Sequence, residues 1–137
     1  MPRVLETALY ATDLDAAERF YVGVVGLSRV MREGSRHLFL RAEGSMVLIF
    51  NPLETPIPAP PDALPVPPHG AHGPGHVAFD AGTRGIEGWR ARLAAMGVPV
   101  EARVDWSNGA VSIYVGDPAG NSVEFAERRL WGFGPED

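Results

Sequence analysis

Three polar side chains sit in segments otherwise built for burial. Glu6 lies in Val4-Leu5-Glu6-Thr7-Ala8-Leu9-Tyr10, His76 opens His76-Val77-Ala78-Phe79, and Glu124 lies in Ser122-Val123-Glu124-Phe125-Ala126. Side chains alternate between the two faces of a strand, so Glu124 faces away from Val123 and Phe125, and His76 away from Val77 and Phe79. A carboxylate on the inner face of a sheet is costly unless it is paired or coordinated. Two carboxylates and an imidazole form a ligand set for one divalent cation. Taken singly, each residue has a plainer reading: a glutamate on a solvent face, or a histidine satisfied by structural hydrogen bonds.

The rest of the composition narrows the chemistry. The chain of 137 residues has no cysteine, which removes disulfides, thiolate zinc sites, iron–sulfur clusters and cysteine nucleophiles. All 12 basic residues are arginine, so Schiff-base chemistry and a phosphate-loop lysine are also excluded. No serine sits in a Gly-x-Ser-x-Gly elbow. A net charge of −5 argues against nucleic acid or an anionic membrane surface as the partner. No apolar run approaches the roughly 18–20 residues of a membrane span, and Met1-Pro2-Arg3-Val4-Leu5-Glu6 lacks a signal-peptide pattern, so a cytoplasmic location is expected.

These residues need elements to hold them. Nine of the 13 prolines fall between Pro52 and Pro74, a stretch that cannot be helix or central strand. It divides a single domain, 1–131, into a first module (1–51), a Pro-rich linker (52–74) and a second module (75–131), with a tail at 132–137. In the first module Val4 to Ala11 reads as a strand and Asp13 caps a helix carrying Leu14, Ala17, Tyr21 and Val24 at helical spacing. Gly26 ends that helix, and strands follow over Leu27–Arg32, Arg36–Ala42 and Ser45–Phe50. The second module repeats the order. His76–Asp80 is a strand, and Ile86, Trp89, Leu93 and Met96 form a helical stripe closed by Gly97. Strands are expected at Val100–Val104, Ala110–Val115 and Ser122–Ala126. Each module reads β-α-β-β-β and is too small to bury much core alone. Setting Gly44-Ser45-Met46-Val47-Leu48 against Gly120-Asn121-Ser122-Val123-Glu124 pairs Leu48 with Glu124, and the first strands pair Glu6 with His76 to within one residue.

Glu6 through Tyr10 with Asp13-Leu14, Phe20-Tyr21 and Gly26-Leu27, then Gly75-His76-Val77-Ala78-Phe79 and Asp117-Pro118-Ala119-Gly120-Asn121-Ser122-Val123-Glu124, together resemble the vicinal oxygen chelate superfamily. That is the glyoxalase, bleomycin-resistance and extradiol dioxygenase group, and the likeness spans about residues 3–127. It implies an α+β fold in which two β-α-β-β-β modules form a curved mixed sheet, a cup, with the helices outside. It also implies a metalloenzyme of the lyase, isomerase or dioxygenase kind, acting on a small molecule with adjacent oxygens. One divalent ion per site, among Fe, Mn, Ni, Co and Zn, would be held by Glu6, His76 and Glu124, and Glu124 or Glu6 would double as catalytic base. Leu48 stands where a fourth ligand is expected, so the glyoxalase I set is incomplete. Glu6 stands where extradiol dioxygenases carry a histidine. The alternative is a metal-free, bleomycin-resistance-like binding protein.

Leu48, Tyr114, Trp106 and Phe39 are the candidate substrate-contacting residues. Arg41 and Arg103 could hold an anionic substrate, but most strand arginines simply face water; His37 reads as a surface strand residue, and His69 and His72 as solvated loop histidines. The long linker, and the habit of short members of the superfamily, imply a homodimer with sites shared between chains.

Overall fold

The computed structural model describes residues 1–135 and 137; of the expected tail, 132–137, Glu136 lies outside the described residues. The chain forms two compact units, Met1–Gly75 and His76–Asp137. The α+β class expected from the sequence is the one adopted.

In the first unit, β1 (Glu6–Tyr10), β2 (Ser28–Glu33), β3 (His37–Ala42) and β4 (Ser45–Phe50) form a mixed sheet in the order β1-β4-β3-β2. β1 runs parallel to β4, and the other pairs are antiparallel. Helix α1 (Leu14–Glu18) begins where expected, the Asp13 carboxylate accepting the Ala16 N–H. It then widens into a π-helical segment, Arg19–Val25, which the sequence pattern did not predict. The i→i+5 turn rotates successive side chains by less than the roughly 100° of an α-helix, so the neighbours Phe20 and Tyr21 are both buried. Gly26, at φ 94°, ends it, the Gly26 and Leu27 N–H groups both donating to the Tyr21 carbonyl.

The second unit repeats the plan with β5 (His76–Asp80), α2 (Gly85–Ala95), β6 (Ala102–Asp105), β7 (Val111–Gly116) and β8 (Ser122–Ala126), in the order β5-β8-β7-β6. Its helix buries Ile86, Trp89 and Leu93, with the Trp89 ring stacked 4.1 Å from that of Phe125. Met96 does not continue this stripe. It sits at the C-cap, with φ −90° and ψ 2°, and is exposed because the helical rotation has already ended.

Strand register makes the internal repeat explicit. Glu6 lies opposite Met46 and Ala8 opposite Leu48; in the second unit His76 lies opposite Ser122 and Ala78 opposite Glu124. Glu6 therefore corresponds to His76, and Leu48 to Glu124, without offset. In each unit the helix covers one face of the sheet. The other face carries Glu6, Leu48, Phe39 and Phe50 in the first unit, and His76, Glu124, Tyr114 and Ser112 in the second.

The Pro-rich segment has no regular element, as expected, but its ends are fixed to the first unit. Thr55 is fully buried and bonds through its N–H and its hydroxyl to the Asn51 carbonyl. The His69 N–H donates to the Thr55 carbonyl at 3.1 Å, and the backbone at Gly70 passes so close to Pro56 that an added Cβ would meet the ring at 2.9 Å.

Candidate functional site

β5 and β8 bring His76 and Glu124 together. The His76 Nδ1 lies 3.1 Å from the Ser122 carbonyl, an acceptor only, so Nδ1 carries the proton. In the neutral ring that leaves the Nε2 lone pair aimed at Glu124 Oε2, 3.2 Å away. Half of the His76 side chain is exposed, whereas Glu124 is 5% exposed and its Oε1 has no hydrogen-bond partner. A lone pair facing a carboxylate, beside a buried orphan oxygen, is a donor arrangement that wants a cation between its members. The carbonyl behind Nδ1 is the usual way of orienting a metal-binding imidazole. These residues therefore fit a divalent ion. Among the described residues no group of three His, Asp or Glu side chains is gathered as a ligand cluster. The His76–Glu124 pair is the part of the expected set that one unit supplies; Glu6 belongs to the other unit, exposed on the edge strand β1.

Tyr114 lies directly opposite Glu124 across β7 and β8, its ring stacked on His76 with centroids 6.2 Å apart. Burial pushes its phenol above the ordinary value, and the charge of Glu124 with a hydrogen bond to it adds to the effect. Tyr114 thus stays a proton donor beside the carboxylate. Trp106 is 36% exposed and its indole N–H donates to Ser112 Oγ at 2.9 Å. Ser112, which the sequence pattern did not mark as a positioning residue, was legible only as a strand-mate of Tyr114. Arg103 sits on the helix-covered face, held by Glu87 and Asp105 at 3.3 Å each, and is not in the site.

In the first unit Leu48 is 8% exposed and shares its face with Glu6 and Phe39. Two histidine expectations need correcting here. His37 is buried, not on the surface, because its strand position places it on the face of Phe39, against which it stacks at 4.3 Å. His69 is half-buried, not a solvated loop residue: the Tyr10 hydroxyl bonds its Nδ1 at 2.7 Å and its ring meets Phe50 edge-on at 4.5 Å. Tyr10 is four residues beyond Glu6 on the same strand face, a spacing that could have flagged it. His72 is exposed, as expected.

Burial lowers the His37 pKa from its ordinary 6.5, the charge of Glu33 opposing this and that of Arg36 assisting it. Arg36 donates to Nδ1 at 2.9 Å. A depressed histidine pKa means that the unfolded chain binds more protons. Its stabilising contribution is complete above about pH 6.5 and is lost as pH falls below that, by up to about 1.4 kcal/mol per pH unit. Urea denaturation of wild type and a His37→Phe variant should show the wild type losing stability more steeply between pH 6.5 and 5; equal slopes would contradict the assignment.

The family model for the glyoxalase/bleomycin resistance protein/dioxygenase superfamily matches residues 3–125. The chain belongs to this superfamily. Among solved structures, a lactoylglutathione lyase from Agrobacterium tumefaciens is 44% identical, with a TM-score of 0.90 over 96% of this chain and 97% of that one. Two more distant structures share the fold. TioX from Micromonospora sp. ML1 is 21% identical, with a TM-score of 0.69 over 92% of this chain and 98% of that one. A superfamily member from Sphaerobacter thermophilus is 20% identical, with a TM-score of 0.67 over 93% and 98%. No curated protein matches the sequence. Among the described residues no helix is long and apolar enough to cross a membrane.

Proposed function

We propose that this superfamily member is a metal-dependent enzyme acting on a small substrate with two adjacent oxygens, by lyase, isomerase or ring-opening chemistry. The observation that carries the reading is the His76 Nε2 lone pair set 3.2 Å from Glu124 Oε2, with Oε1 buried and unpartnered. The 44% identity to a lactoylglutathione lyase supports the lyase and isomerase end of that range. His76 and Glu124, completed by Glu6, would hold the ion, which when bound supplies Lewis acidity toward the substrate oxygens. Tyr114, directly opposite Glu124 in register, sets a phenol beside the carboxylate. Glu124 and Glu6 are the groups able to take up a substrate proton. Leu48 contributes an apolar wall where a fourth ligand would otherwise stand.

The test is metal content. Untagged protein purified without chelators is expected to carry about one divalent ion per chain, and a dialysed sample to rebind one equivalent. No metal after purification and no rebinding, combined with tight uptake of flat aromatic compounds, would instead establish a metal-free binding protein.

The proposal includes a homodimer. Val4 and Leu5, just ahead of the edge strand β1, are 76% and 74% exposed, and Trp131 is 76% exposed, apolar surface that a second copy would cover. Light scattering at micromolar concentration should give twice the chain mass; a monomer would oppose any sharing of sites between chains.

A further inference from the structure

The two units repeat one strut between helix and edge strand. Asp15 and Glu87, each in the first turn of its helix, pair with Arg32 at 2.5 Å and with Arg103 at 3.3 Å. Arg32 lies opposite Leu38 and Arg103 opposite Ile113, and these pair in turn with Ile49 and Phe125, the residues after Leu48 and Glu124. Gly26 and Gly97, both at positive φ behind their helices, stand equally far ahead of Arg32 and Arg103. Counting on from Asp15 and Glu87 makes Glu18 equivalent to Arg90. Counting back from the two arginines makes Arg29 equivalent to Val100.

Both places line a groove between helix and edge strand, and the units treat it differently. In the first unit Arg29 reaches Glu18 at 3.0 Å, and this ion pair spans a recess of about 430 Å³. In the second unit Arg90 and Val100 cannot pair, and the groove is about 1030 Å³. That is the size of a small-molecule site. It runs beside β6, because α2 packs mainly on β7 and β8.

The walls of this groove are apolar. Ala91 and Ala94 come from α2, Val98 and Val100 from the chain entering β6, over the fully buried Ile113. Both alanines are exposed, as is Val100 at 38%. The charges are gathered in one cluster of Glu87, Arg90 and Arg103. From Glu87 to Ala94 the helix advances about 10 Å, so the groove has a charged end and a short apolar run. Arg103 is engaged by Asp105 and Glu87 through Nε, Nη1 and Nη2. Arg90 uses one nitrogen, Nη1, on Glu87 at 3.0 Å, and its side chain is 53% exposed. It keeps further N–H donors for an anion.

We infer that this groove binds a small amphiphile: a carboxylate held by Arg90, carrying an unbranched alkyl chain roughly 10 Å long that lies over Ala91, Ala94, Val98 and Val100. A cationic head would meet two arginines against one glutamate. The groove is on the helix-covered face of the sheet, away from the face of His76 and Glu124, so the inference does not rest on the proposed metal chemistry.

Octanoate, octanol and octyltrimethylammonium share a chain and differ in the head. Each is titrated into the protein below its micelle concentration and followed by amide NMR, with circular dichroism checking the fold of every variant. Octanoate should bind saturably and shift the amides of Ala91, Ala94, Val98 and Val100. Octanol should bind about fivefold more weakly, the contribution of an exposed ion pair, and the cation more weakly still. Arg90→Gln should bring octanoate down to the level of octanol and leave octanol unchanged. Ala94→Trp, which fills the groove, should weaken both by at least about tenfold, equivalent to losing two buried methylenes. Arg90→Glu combined with Val100→Arg transplants the ion pair of the first unit and should abolish binding of both. These positions are exposed, so the variants should keep the fold. Octanoate shifts confined to His76, Tyr114 and Glu124 would put the carboxylate on the other face and overturn the inference. Unchanged affinity in Ala94→Trp, equal affinity for octanoate and the cation, or no saturable binding by wild type would each overturn it too. Metal content is untouched by any of these results, so the proposed function stands or falls separately.

Discussion

Replacing His76 with alanine is expected to lower divalent-metal affinity by at least about 100-fold while leaving the fold intact. The imidazole is the one nitrogen donor in the candidate set. Its geometry is fixed behind by the Ser122 carbonyl and in front by Glu124. Removing an outer-shell partner of a ligand typically costs 10–100-fold, so removing the ligand should cost at least the upper end of that range. The fold should survive because His76 begins an edge strand and half of its side chain is in water, so water can replace it beside Glu124. Equilibrium dialysis followed by elemental analysis reads the affinity, and circular dichroism with a thermal melt reads the fold. Wild-type metal affinity should also decline on acidification, since imidazole and carboxylates bind metal only when deprotonated. A His76→Ala protein that keeps one equivalent of metal through dialysis would remove this residue from the site.

How much of this was legible beforehand depends on how local the determinants are. Asp13 as a cap and Gly26 as a stop were readable because each acts on its immediate neighbours. The equivalence of Leu48 and Glu124 was readable because a two-residue side-chain period and a shared Gly-led turn fix the register of both final strands. The edges of the elements were less so. Val4, Leu5 and Val100 have strand-like composition yet fall outside β1 and β6, although the Leu5 carbonyl still accepts the Met46 N–H at 2.9 Å. His37 and His69 were misread for a common reason. Their burial comes from non-local ring packing on Phe39, Phe50 and Tyr10, and no spacing within either segment announces it. The pairing of Trp106 with Ser112 belongs to the same class, since it spans a turn whose conformation is set by Asn108 and Arg129. The family resemblance reached the fold and the candidate ligands, but such contacts are particular to this chain.

Leu48→Glu is expected to add a fourth ligand to the proposed set of Glu6, His76 and Glu124. Leu48 occupies in the first unit the register position that Glu124 occupies in the second, and it is 8% exposed on the face that also carries Glu6. A carboxylate introduced there without a counter-charge pays desolvation, so the metal-free variant should be less stable than wild type by roughly 3 kcal/mol. Adding metal should reverse the order of sensitivity, because an ion that binds only the folded state stabilises it in proportion to its affinity. The variant is therefore expected to gain more melting temperature from a divalent ion than wild type does. Acetohydroxamate should bind the metal-loaded variant at least about tenfold more weakly, since a position open to one of its oxygens is now filled. Thermal melts with and without Mn(II), alongside hydroxamate titration, read both effects. If Leu48→Glu melts identically in the two conditions and binds acetohydroxamate as wild type does, residue 48 does not face the metal, and the symmetry that equates it with Glu124 in register would not extend to function.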